Sequence, residues 1–196
     1  MNASIGVGAA SGEIEFVPAR AERSAVDVAD ADCDNATRVA VEPHGMGRVR
    51  AIHVAPEQEE PMERVERAEA VAGRGLEGDR YYDADGTFSD REGSDLTLIE
   101  REALVGAERE YDIALESGVH RRNVTTEGVA LNHLVGERFR VGDAVCEGTE
   151  RCEPCSSLER HIEIDGVQEA LVHRGGLRAR ILEGGSISEG ATVERA

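Results

Sequence analysis

Single glycines and glycine pairs interrupt this chain at short intervals, and the apolar residues between them alternate over only a few positions at a time. Arg48-Val49-Arg50-Ala51-Ile52-His53-Val54-Ala55 alternates as a half-buried strand does, and Pro56 ends it. Residues 62–71 read as a second strand leading into the turn Gly73-Arg74-Gly75-Leu76-Glu77-Gly78-Asp79-Arg80. Residues 95–99 read as a buried strand, 138–141 as another, and the run through Val145 and Cys146 follows the turn at Gly142-Asp143. Gly175-Gly176 opens a strand that runs to Leu182, and residues 184–190 read as a turn before a last strand at Val193. Helical spacing occurs at 100–111, where Leu104, Val105 and Ala107 stand among charges, and in two short pieces at 157–162 and 168–172. A chain so punctuated has no room for a helical bundle. The pattern predicts a mainly β fold, a barrel with a few short helices and no internal repeat.

The 196 residues are enough for one domain with a real core. Residues 1–46 are rich in Ala, Gly, Asp, Glu and Ser, with only 14–17 and 38–41 as candidate strands. They are expected to form an acidic, weakly ordered extension, with Cys33 a bystander, ahead of a patterned domain at 47–196. The charge balance is extreme: 40 acidic residues against 22 basic ones, a net charge of -18. All 22 basic residues are arginine and lysine is absent. Such a surface points to an extreme halophile, in which carboxylates hold water and cations at the surface. It excludes a broad nucleic-acid face, which needs clustered Lys and Arg, but leaves room for a small anion in a local arginine pocket. The 3% aromatic content argues against base-stacking platforms. No run approaches the roughly 18 apolar residues of a membrane span, and the N-terminus lacks signal-peptide features. The expected location is the cytoplasm, with no membrane partner.

Three constellations could carry chemistry. In Cys152-Glu153-Pro154-Cys155 two thiols stand three positions apart, where a strand passes into a loop. In a reducing compartment such a pair is more often metal-binding or redox-active than a structural disulfide, and packed, inert thiols are the plain alternative. Cys146, Cys152, Cys155 and His161 could be four zinc ligands, but a structural zinc site shows two tight pairs and here there is one. A thioredoxin-like role lacks its βαβ setting. Arg121-Arg122-Asn123 with Thr125-Thr126-Glu127-Gly128 reads as an anion clamp, since guanidinium groups grip phosphate in bidentate fashion, or as surface pairing with carboxylates. Gly73-Arg74-Gly75-Leu76-Glu77-Gly78-Asp79-Arg80 matches neither a P-loop nor a convincing dinucleotide fingerprint and reads as a turn. His120 and His173 border the arginine pair and the glycine pair, but no hydrolase triad or HExxH pattern is present.

Taken in order, these segments resemble the MOSC family, named for the C-terminal domain of molybdenum cofactor sulfurase. The resemblance runs through Gly75-Leu76-Glu77-Gly78-Asp79-Arg80, Leu98-Ile99-Glu100, Arg121-Arg122-Asn123-Val124-Thr125-Thr126-x-Gly128, Leu134-Val135-Gly136-Glu137-Arg138-Phe139-x-Val141-Gly142-Asp143, Cys152-Glu153-Pro154-Cys155 and Gly175-Gly176-x-x-Ala179-x-Ile181-Leu182-x-Gly184-Gly185. It covers residues 47–195. It implies a β-barrel of the pyruvate kinase barrel type and association with molybdenum cofactor or with sulfur transfer. The family's cysteine maps onto Cys155, which the resemblance makes the catalytic thiol and a molybdenum ligand. Arg121 and Asn123 match positions on the phosphate side of the pterin, with Thr126 and Gly128 as further cofactor-binding residues. Members that hold the cofactor reduce N-hydroxylated compounds with electrons from a redox partner. Some carry a separate N-terminal β-barrel domain; this chain resembles the free-standing members. The family's general description also mentions pyridoxal phosphate. A chain without lysine cannot bond it covalently, so that cofactor would belong to a cysteine desulfurase-type partner. Three roles follow: a molybdenum-dependent reductase or cofactor-maturation protein, a carrier of a Cys155 persulfide, or a non-catalytic module with structural thiols.

Overall fold

A computed structural model describes residues 47–82, 93–115 and 118–196. The candidate strands at 14–17 and 38–41, and Cys33, lie outside them. Eleven strands and three helices follow one another: β1 (Gly47–Val54), β2 (Glu63–Val65), β3 (Arg67–Val71), β4 (Gly75–Leu76), β5 (Leu96–Glu100), α1 (Arg101–Tyr111), β6 (Val124–Glu127), β7 (Arg138–Val141), β8 (Ala144–Arg151), α2 (Ser156–Ile162), α3 (Val167–Ala170), β9 (Leu177–Glu183), β10 (Gly185–Ser188) and β11 (Thr192–Arg195). A short 3-10 turn at Leu131–Leu134 precedes β7.

The main sheet runs β11-β7-β8-β9-β5-β6-β1-β2, and β11 also pairs with β1. That last pairing, Gly47 opposite Val193 and Arg48 opposite Thr192, closes seven strands into a barrel and leaves β2 as an outer strand on β1. Closure removes the exposed edges an open sheet of this size would carry. All neighbours are antiparallel except β5 and β6, which run parallel after the chain has crossed over through α1. The smaller sheet is β10-β3-β4.

The mainly β expectation therefore holds, as a closed mixed barrel. Two local readings differ. Residues 62–71 form two strands, because the chain breaks between Val65 and Arg67 to leave β1 and join β10. Residues 185–188, read as part of a turn, are strand β10, paired residue for residue with β3. A glycine and two serines have little strand preference of their own, and it is the waiting edge of β3 that recruits them.

The barrel interior is filled by the inward members of the alternating runs, among them Ile52, Leu96, Leu98, Val124, Phe139, Cys146, Leu177 and Ile181. A second cluster lies among the helices: Ala107 of α1, Leu158 of α2, and Val167, Ala170 and Leu171 around α3, with Ile162 packed against it. Leu158 and Ile162, four apart, form the stripe that holds α2 there. Through that stripe the helix core positions the residue immediately before α2, which is Cys155.

Candidate functional site

The segment entering β6 is where the conspicuous motifs meet. Arg122 is 7% exposed, and its guanidinium donates only to main-chain carbonyls: Nε to Gly175 at 2.9 Å, Nη1 to His120 at 3.1 Å and Nη2 to Cys152 at 3.2 Å. One side chain thus joins the arginine motif to the cysteine motif and to the glycine pair ahead of β9. The planar fork of arginine suits this three-way tie, and a lysine ammonium would not reproduce it. The sequence places Arg122 only within the Arg121-Arg122-Asn123 anion clamp, whereas its guanidinium is taken up by these three carbonyls. Only its neighbourhood in the fold shows its role.

Asn123 is 1% exposed and fully engaged. Its Oδ1 accepts from the Thr97 hydroxyl at 2.8 Å and from the Thr97 N–H at 3.3 Å, and its Nδ2 donates to the His53 carbonyl at 3.3 Å. It fastens β6 to both β5 and β1. Thr126 is likewise buried, with its hydroxyl donating to the Ile99 carbonyl at 3.3 Å. Gly128 lies beyond the far end of β6, where its N–H donates to Glu102 at 2.8 Å. Six residues separate Arg121 from Gly128 along largely extended chain, a span of roughly 20 Å. Of the four expected cofactor-binding residues, Thr126 lies within β6, Arg121 and Asn123 precede it and Gly128 follows it, and Arg121 is the one of the four that lines the cleft beside α2.

Arg121 differs from its neighbour. It adopts φ 59°, a left-handed conformation that costs a non-glycine residue about 1 kcal/mol or more. Its N–H donates to Gly118 at 2.9 Å and its carbonyl accepts from Arg80 Nη2 at 3.3 Å. The side chain reaches out to donate to the carbonyls of Gln58 and Glu60. Burial, and then the neighbouring Arg80 charge, lower its pKa. Arg80 comes from the glycine-rich turn, which is itself anchored to the end of β1: the Ala55 N–H donates to Asp79 at 2.9 Å, and the Arg80 N–H donates to the Ala55 carbonyl at 2.7 Å. Arg121 lines a cleft of about 460 Å³ together with Glu59, Pro61, Met62, Val119, His161 and Ile162. His161 Nδ1 stands 3.6 Å from a Glu59 carboxylate oxygen. Apart from Arg121, these cleft residues carried no recognisable functional signal, since 57–61 is an unpatterned acidic loop and His161 drew notice only as a zinc ligand.

The two thiols of the cysteine motif are separated. Cys152 is 2% exposed and Cys155 is exposed. Between the end of β8 and the start of α2, residues 152–155 contain neither turn nor bend. The loop is held firmly. The Cys152 N–H donates to Gly176 at 2.8 Å, and Glu153 accepts from the His173 N–H at 2.8 Å. A side chain at Gly175 would meet the Cys152 carbonyl at 2.5 Å and the Pro154 ring at 2.9 Å. Cys146 sits in the barrel core, where burial pushes its thiol up to about 12. The four zinc ligands considered by spacing are not assembled, and among the described residues no three His, Cys, Asp or Glu side chains cluster to hold a metal. A single-cysteine ligand needs no such cluster.

His120 is wholly buried, 5.7 Å from His53 ring to ring. Its Nδ1 accepts from the Arg122 N–H at 3.1 Å, so the network assigns the ring proton to Nε2, which faces Thr125 Oγ1 at 3.3 Å. Burial, then the charge of Arg122, brings its pKa down to about 3. His120 is a neutral structural group. His173 lies on the surface beside Glu153 at 3.4 Å.

A closed mixed barrel with an exposed cysteine between β8 and α2 and a three-way arginine tie at the mouth of β6 defines the class. The MOSC domain model matches residues 85–194, more than half of the 196-residue chain, and the chain belongs to that family. Among solved structures it is similar to the YUAD protein from Bacillus subtilis, with a TM-score of 0.63 and 14% identity over 76% of this chain and 94% of that one. YiiM from Geobacillus stearothermophilus gives a TM-score of 0.59 and 16% identity over 76% and 75% of the two chains. YiiM from Escherichia coli gives 0.56 and 20% over 76% and 69%. At these identities the likeness is one of fold. No curated protein sequence matches the chain. Among the described residues no helix is long and apolar enough to cross a membrane.

Proposed function

We propose that this MOSC domain holds the molybdenum of a pterin cofactor on Cys155 and reduces small N-hydroxylated compounds with electrons from a redox partner. The observation that supports this most is the separation of the two thiols: Cys152 is packed inside while Cys155 is presented to solvent on a loop tied at both ends. A single soft, accessible thiolate suits molybdenum, whereas dithiol or zinc chemistry needs a second ligand nearby. When bound, the cofactor supplies the two-electron metal chemistry that, with two protons, converts N–OH to N–H and water. The chain's own residues do the rest. Arg122 fixes the thiol-bearing loop, and Arg121 offers a cation to a phosphate group in a cleft that shares α2 with the thiol. The seven-residue helix spans about 10 Å between them. Asn123 and Thr126 take the part of supports beneath Arg121, and Gly128 stands apart.

Metal analysis of anaerobically purified protein is the test. Molybdenum near one atom per chain, lost in Cys155→Ser with folding intact, is the expected result. A second reading draws on the same loop. With Cys152 packed away on an extended segment and Cys146 in the barrel core, the other described thiols are kept from attacking a persulfide on Cys155, as a sulfur carrier loaded by a desulfurase-type partner requires. No metal, but a mass gain of one sulfur that Cys155→Ser abolishes, favours this carrier role. If Cys155→Ser changes neither, the domain is a non-catalytic module.

A further inference from the structure

We infer that the acidic loop between β1 and β2 is a strap latched by Arg121, and that an anionic group entering the cleft releases it. This rests on the reading of Arg121 as the phosphate-binding residue and adds how access to it is controlled. Residues 56–61 are exposed and outside any strand or helix, yet they are not free: the Gln58 and Glu60 carbonyls both accept from the Arg121 guanidinium. The residue that holds them is one of four described non-glycine residues with positive φ. Its strained backbone is fixed from both sides by Gly118 and Arg80. Strain of this kind persists where the surroundings over-determine it, and here it aims a cation at the cleft.

The guanidinium thus has two competing uses. In the latched state its partners are neutral carbonyls, on a strap that brings Glu57, Glu59 and Glu60 close by. A phosphate or carboxylate makes charge-assisted bidentate bonds to the same fork, about twice as strong as bonds to neutral acceptors. The strap carboxylates, repelled by such an anion, have no reason to stay. Glu59 has one further tie, the 3.6 Å contact with His161 on α2. The latched strap is one wall of the cleft, through Glu59 and Pro61, and it competes with an entering anion for the Arg121 fork.

Hydrogen–deuterium exchange of the full-length protein, read on peptides covering 56–65 so that they include the β2 amides paired with β1 beside the strap, tests this with inorganic phosphate and pyrophosphate as probes against chloride of matched ionic strength. Exchange in the strap is expected to rise about tenfold with either anion, as fits the loss of a hydrogen bond to a charged group. In Arg121→Gln the strap is expected to exchange fast already and to ignore the anions. A strap that exchanges fast in Arg121→Gln but does not respond to anions in the unmodified protein overturns the anion gate. A strap unaffected by the substitution overturns the latch itself. Arg121→Lys separates charge from fork: slow exchange that still responds to anions shows charge alone suffices and overturns the bidentate argument. None of these readouts depends on molybdenum. A responsive strap in protein without molybdenum leaves the latch standing while the cofactor reading fails, and the reverse result sinks only the latch.

Discussion

At the scale of single residues, His120 sets a pH limit on the fold. Its folded-state pKa lies near 3, against 6.5 for an exposed histidine, because burial and the adjacent Arg122 charge disfavour the imidazolium. His53, facing it, is shifted down for the same reason of burial. Above 6.5 the ring is neutral in both folded and unfolded chains and costs nothing. As pH falls below 6.5 the unfolded chain takes up a proton that the folded one refuses, so stability drops by up to about 1.4 kcal/mol per pH unit for this group. Denaturation midpoints between about pH 7 and about pH 5 are expected to fall more steeply in the unmodified protein than in His120→Asn, which removes the titrating ring. Parallel slopes would show that other groups govern acid stability. The same buried network explains why Asn123 and Thr126, recognisable as motif letters, turn out to face the fold and not the solvent.

At the scale of elements, the decisive joint is between β8, β9 and β5. Gly176 has φ 111°, and a methyl group there would stand 2.0 Å from the Leu98 carbonyl oxygen. No flexible side chain is available to yield, since the obstacle is backbone of a central strand. Gly176→Ala is therefore expected to cost more than 3 kcal/mol, or to abolish folding, combining a disallowed φ with a main-chain collision. Gly190, also at positive φ but with open space around it, is the comparison. Its alanine variant is expected to lose only about 1 kcal/mol. Chemical denaturation of the two variants separates collision from strain, and equal losses would show that the close approach does not matter. What Gly176 protects is the path of the cysteine loop, because the Gly176 carbonyl accepts from Cys152.

At the scale of the whole molecule, charge outweighs any single pair. The described ion pairs are mostly at the surface, as with Arg64 and Glu189 at 2.7 Å or Arg101 and Glu127 at 3.3 Å, and such pairs contribute little individually. Even if every arginine were paired, the excess of 18 carboxylates would repel one another through water. Repulsion of this kind reaches about 30 Å at 0.01 M salt and about 3 Å at 1 M. The thermal midpoint is accordingly expected to fall by several degrees or more between molar and millimolar potassium chloride. A midpoint unchanged over that range would rule out the halophilic reading of the composition.

Strand periodicity and glycine spacing determined by themselves that this chain makes a mainly β barrel, since alternation and turn chemistry are local properties, while the MOSC family was legible only as a resemblance carried by the ordered motifs. The amphipathic spacing at 100–111 becomes α1, and the run after Gly142 becomes β8, for the same reason. Residues 185–188 could not be read, because their strand character comes from the edge of β3 and not from their own side chains. Periodicity and spacing did not separate Cys152 from Cys155 or Arg121 from Arg122; the family resemblance singled out Cys155 and Arg121, and the structure shows how differently the members of each pair are surrounded. Adjacent letters of the same type carry identical local propensity. Only tertiary packing decides which one turns inward to three carbonyls and which one reaches out to a cleft.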